Sequence, residues 1–157
     1  MSEVRRDPII GRWVIVYKPE NSLGPADYEK SVHTLKQGAV CQFCNGREAQ
    51  TPPEVDAIRA GYAPNTPGWL ARVVPNKFPA LRIEGELNRR GNGVYDMSNG
   101  VGAHEVLVET PDHAKNFADY SLDEAVNVIK MYQSRSASLG RDKRFKYIMI
   151  FKNFGQS

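Results

Sequence analysis

The stretch His104-Glu105-Val106-Leu107-Val108-Glu109, followed after a Thr110-Pro111-Asp112-His113 turn by Ser121-Leu122-Asp123-Glu124, sets a strand beside a helix. The first part is apolar at its centre and is entered through Gly102, which reads as a strand. The second part fits a capping box, with a Ser hydroxyl and a Glu carboxylate three residues apart. Leu122, Val126, Ile129, Tyr132 and Leu139 then follow at helical spacing up to Gly140, a residue suited to a C-terminal stop. Working outward, Arg12-Trp13-Val14-Ile15-Val16-Tyr17 and Trp69-Leu70-Ala71-Arg72-Val73-Val74 read as strands, each closed by a nearby proline. Phe145-Lys146-Tyr147-Ile148-Met149-Ile150-Phe151 reads as a further strand, residues 21–38 and 88–102 as loops, and residues 41–46 as a tight turn. Strands followed by a helix and a last strand predict an α+β fold: a mainly antiparallel sheet with a flanking helix.

The 157 residues are enough for one domain with a real core, and 41% apolar against 25% charged residues is a globular balance. No apolar run is long enough to span a membrane, so no membrane partner is expected. Met1-Ser2-Glu3-Val4-Arg5-Arg6 leads into Asp7-Pro8 rather than an apolar signal core, which places the protein in the cytoplasm. Twenty-one basic against 18 acidic residues leave a net charge of +3, too mild to argue for nucleic acid.

The two cysteines form Cys41-Gln42-Phe43-Cys44. Two intervening residues let one turn present both sulfurs to a single ion, and structural zinc takes four Cys or His ligands. Gly46 can take the positive φ such a turn needs. Two reduced thiols in a turn are the plainer alternative; a redox pair is weaker, because no thioredoxin-like βαβ context follows. Of the three histidines, His113 lies at a strand end and suits a ligand, His104 reads as a surface or packing residue, and His33 as solvated. Val74-Pro75-Asn76-Lys77-Phe78-Pro79 offers an amide, an ammonium and a ring on one stiff loop, able to hold a ribose, a phosphate and a base. On spacing alone a rigid turn with Phe78 in the core is the better reading. Asn153 in Phe151-Lys152-Asn153-Phe154-Gly155-Gln156 could donate to a phosphate or oxyanion.

Six ordered blocks add to these signals: Arg5 to Ile15, Cys41 to Glu48, Thr51-Pro52-Pro53-Glu54, Arg72 to Leu81, Gly102 to His113, and Phe151 to Gly155. Together they resemble the N-terminal half of the galactose-1-phosphate uridylyltransferases, in the histidine-triad superfamily. The resemblance runs over essentially the whole chain. It implies a zinc ion (Zn) held by Cys41, Cys44, His113 and a histidine of a later His-x-His-x-Gln motif. It implies nucleotide contacts from Asn76, Lys77 and Phe78, and a phosphate contact from Asn153. The implied reaction is a double displacement: a histidine attacks the α-phosphorus of UDP-glucose, glucose 1-phosphate leaves, and galactose 1-phosphate then takes the uridylyl group.

No His-x-His occurs in the 157 residues. The resemblance therefore implies a histidine-triad-like domain over residues 1–157 that stops before that motif. The nucleophilic histidine and the fourth zinc ligand are expected after Ser157, and this chain alone is expected to be inactive. Nucleotide sugar and sugar 1-phosphate are the implied ligands, and a homodimer the implied assembly. Members often carry Arg-x-x-Arg-Pro after the first strand, where this chain has Lys18-Pro19-Glu20-Asn21-Ser22-Leu23. Two alternatives therefore stand beside the uridylyltransferase: an ADP-sugar phosphorylase-like relative, and a zinc- or nucleotide-binding module without catalysis.

Overall fold

A computed structural model describes residues 2–16, 41–61 and 63–152. The chain divides into two compact units.

The first unit carries β1 (Glu3–Arg6), β2 (Trp13–Val16), β5 (Arg90–Asn92) and β6 (Tyr95–Asn99), in the antiparallel order β2-β1-β6-β5. Asp7-Pro8-Ile9-Ile10-Gly11 closes the β1–β2 hairpin. The Asp7 carboxylate accepts from the amides of Ile9 and Ile10, and Gly11 turns at φ +70. Asn92 pairs with Tyr95 across Gly93-Val94, and Gly93 has φ +59. Residues 88–102, read above as a loop, thus contain a hairpin. Glycine at the first turn position permits the tight connection that joins two strands, so here it marks pairing rather than breaking it.

The second unit carries β3 (Asp56–Arg59), β4 (Trp69–Pro75), β7 (Glu105–Val108) and the helix α1 (Leu122–Leu139). Its sheet is antiparallel in the order β3-β4-β7, with α1 packed on β4 and β3. As the central strand, β4 is buried at Trp69, Ala71, Arg72, Val73 and Val74. Arg72 is fully buried yet charged. Its guanidinium lies 3.4 Å from Glu54 and donates to Thr51 at 3.2 Å, and Glu54 also pairs with Arg59. The Thr51-Pro52-Pro53-Glu54 corner therefore neutralises a core cation, which burial would otherwise penalise heavily.

The helix begins where its capping box predicts. Ser121 Oγ accepts from Glu124 N, and the Glu124 carboxylate accepts from Ser121 N at 2.8 Å. Arg135 fixes it to β7 through a forked pair of bonds to Glu105, at 2.9 and 2.7 Å. Its buried residues are Val128 and Met131, whereas Leu122, Val126 and Ile129 face solvent. Periodicity located the helix but not its buried stripe, because the sheet, not the helix, decides which face is covered. The predicted strand Phe145–Phe151 is not one. The chain turns after α1 at Asp142, whose carboxylate holds Arg144, and then runs on unpaired, with residues 147–151 exposed. β-propensity expresses itself only against a partner strand, and among the described residues no strand pairs with this segment.

Candidate functional site

The site lies within the second unit and has two parts at opposite ends of β4. Six residue steps of about 3.3 Å put the ends roughly 20 Å apart.

At the Trp69 end, Cys41, Cys44 and His113 offer ligand atoms that all lie within 4.8 Å of one another. The cysteines share a short turn: Cys44 N donates to Cys41 O, Arg47 N to Cys44 O, and Phe43 N to Cys41 Sγ. Gly46 takes φ +82, as that turn requires. His113 is delivered by the turn after β7. There Asp112 N donates to Thr110 Oγ1 and Ala114 N to the Asp112 carboxylate. Zinc bonds of about 2.3 Å to sulfur and 2.0 Å to nitrogen, at a tetrahedral angle, separate the two donors by roughly 3.6 Å. Cys44 Sγ and His113 Nδ1 stand 3.4 Å apart, so donor type and spacing fit zinc. Burial, then the hydrogen bond and charge of Cys41, push the Cys44 thiol up, with Arg47 opposing. A divalent cation would reverse that balance by binding the thiolate.

At the Pro75 end, the chain turns through Asn76, Lys77 and Phe78. Asn76 N donates to His104 O at 2.8 Å, and Asn76 Oδ1 accepts from Phe78 N at 2.8 Å. With its oxygen so engaged, the Asn76 amide nitrogen faces His104 Nε2 at 3.2 Å, which assigns the acceptor role to that ring nitrogen. His104, read above as a surface or packing residue, thus orients Asn76. Its strand-end place in the sequence held no sign of this, because its partner lies 28 residues away. Phe78 is not in the core: it is 81% exposed, with Lys77 Nζ 5.9 Å from its ring centroid. A presented ring beside an ammonium and a fixed amide is a surface for a planar, phosphate-bearing ligand. Asn153 and His33 lie outside the described residues.

The structure therefore brings Cys41, Cys44 and His113 together, and sets Asn76, Lys77 and Phe78 at the far end of the sheet. A metal at the first place would fix the chain rather than touch a ligand at the second.

The family model for "Galactose-1-phosphate uridyl transferase, N-terminal domain" matches residues 1–157. The chain belongs to this family. An ADP-glucose phosphorylase of Arabidopsis thaliana is 29% identical over 99% of this chain and 44% of its own length. A galactose-1-phosphate uridylyltransferase of Thermotoga maritima is 26% identical over 99% of this chain and 42% of its own. The chain thus spans less than half the length of these family relatives. Among solved structures, the Arabidopsis ADP-glucose phosphorylase with bound ADP-glucose aligns at TM-score 0.55 and 27% identity, over 94% of this chain and 41% of that one. A uridylyltransferase structure aligns at TM-score 0.61 and 19% identity, over 92% and 37%, and supports the fold alone. The α+β fold read from the sequence is the family's.

Proposed function

We propose that this chain is the zinc-stabilised, nucleotide-binding half of a nucleotidyltransferase that moves a uridylyl group between UDP-glucose and a hexose 1-phosphate. The observation that carries this reading is the Asn76-Lys77-Phe78 loop: an exposed ring, an ammonium, and an amide held by His104, in a member of this family. Phe78 would stack on the base, Lys77 attract phosphate, and Asn76 bond the sugar of the nucleotide. Cys41, Cys44 and His113 would hold zinc, which supplies a fixed crosslink between the cysteine turn and the end of β7. Asn153 would add a phosphate contact. None of the three histidines lies in a His-x-His motif, so the chain contributes binding and not the nucleophile. A homodimer in the cytoplasm belongs to the same reading.

A second reading, in which the nucleotide is an ADP-sugar, is favoured by the 29% identical ADP-glucose phosphorylase. Calorimetric titration of the chain with UDP-glucose and with ADP-glucose separates the two. The proposal expects UDP-glucose to bind more tightly, and Asn76→Ala to weaken binding about tenfold, a loss of roughly 1.4 kcal/mol. Preference for ADP-glucose would select the second reading. Binding of neither would overturn both.

A further inference from the structure

Glu48 is 95% buried, which is unusual for a carboxylate, and it sits between the cysteine turn and the core. One of its oxygens, Oε1, accepts two hydrogen bonds: from Gly46 N at 3.1 Å and from the indole Nε1 of Trp69 at 2.7 Å. Gly46 ends the Cys41–Gly46 turn, and Trp69, itself fully buried, opens β4. Burial pushes the Glu48 carboxyl up, but the Trp69 bond, the backbone amides of Glu48 and Gly46, and the Arg72 charge together hold it below its ordinary value. The bridging oxygen is thus an anion at neutral pH.

The other end of the metal cluster is set by the same sheet. β4 and β7 pair with Arg72 opposite Val108 and Val73 opposite Leu107. The pairing ends at Arg72 opposite Val108, and from that same end of the ladder Trp69 lies three residues away along the chain and His113 five. So the Glu48–Trp69 bond ties the two cysteines to the strand end from which the histidine is delivered. It is a side-chain bond from the cysteine segment to the first residue of β4, while Thr51 and Glu54 join the chain to Arg72 further along the strand.

We propose that Glu48 is the positioning residue of the metal centre, bridging the cysteine turn to Trp69 so that Cys41 and Cys44 meet His113 already placed. The assignment rests on the zinc reading above. Groups that hold metal ligands without touching the metal typically change affinity roughly 10- to 100-fold when removed.

The test is zinc affinity of the purified chain by competition with a chromophoric chelator, together with the absorption spectrum of the cobalt(II)-loaded form. Both are read well below the melting temperature of every variant. Glu48→Ala is expected to weaken zinc at least about tenfold and to alter the cobalt bands. Glu48→Gln keeps an acceptor oxygen in place and is expected to stay within a few-fold of wild type. Trp69→Phe, which removes the donor together with part of the buried ring, should fall between the two. Val128→Ala serves as a control that loosens the same core away from the bridge, and it should leave affinity and spectrum unchanged. Wild-type affinity in Glu48→Ala, equal losses in Glu48→Ala and Glu48→Gln, or an equal loss in Val128→Ala would each overturn the assignment. If the wild-type chain binds no metal, the zinc reading itself falls, and the assignment with it.

Discussion

Phe78 stands exposed on the loop that leaves the end of β4. A phenylalanine between two prolines would ordinarily be packed, and spacing alone favoured that reading. The structure instead presents the ring to solvent, because Asn76 Oδ1 takes the Phe78 amide and His104 holds Asn76 from behind. A residue so exposed contributes little to stability, so Phe78→Ala should change it by no more than about 0.5 kcal/mol. If the ring stacks on a base, the same change should weaken nucleotide-sugar binding by about 1–3 kcal/mol. Thermal melting and calorimetry on one variant check both halves. A large stability loss with unchanged binding would return Phe78 to a structural role. The grouping of Cys41, Cys44 and His113 was legible at this scale because cysteine and histidine announce their chemistry by residue type. Glu48 and His104 were not, because each acts through a partner 20 or more residues away that only the folded chain supplies.

Among the elements, α1 shows what local sequence can and cannot decide. Its start follows from the Ser121–Glu124 box, three residues apart and written in the sequence, with Lys115 joining from nine residues before Glu124. The Glu124 carboxylate accepts from Lys115 Nζ at 2.6 Å and from Ser121 N, and these bonds, Lys115 first, hold its pKa down to about 2 from an ordinary 4.5. A depressed carboxylate stabilises the fold above its unfolded value and loses that contribution as pH falls through its folded one. Melting temperatures should therefore show wild type above Glu124→Gln at pH 5 and higher, with the curves converging between pH 4.5 and 2. Parallel curves over that window would mean that the Lys115 and Ser121 bonds to Glu124 are not formed as described. What α1 buries, by contrast, depends on non-local packing: Val128 and Met131 meet the sheet, while the apolar Leu122, Val126 and Ile129 do not. The same reason explains residues 145–151. Their composition is that of a strand, but a strand exists only when another runs beside it. In residues 88–102 the signal is local but ambiguous, since a glycine that suits a loop also suits the hairpin turn that Gly93 makes.

For the molecule as a whole, the second unit is organised about one central strand. β4 carries the buried Arg72 charge, receives the cysteine turn through Glu48 at one end, and releases the Asn76 loop at the other. Its partner β7 mirrors this, leading from His104 beside that loop to the turn that bears His113. Two strands thus couple a candidate metal centre and a candidate nucleotide surface, each built from residues far apart in sequence. In this arrangement a metal would act by crosslinking: it would tie the cysteine turn to the end of β7 and stiffen the frame that presents Asn76. The most direct test is the metal content of the chain purified without chelators, by elemental mass spectrometry. Zinc is expected at close to one per chain, reduced in Cys41→Ser and in His113→Ala. A wild-type chain free of metal, or one whose zinc survives both substitutions, would contradict it.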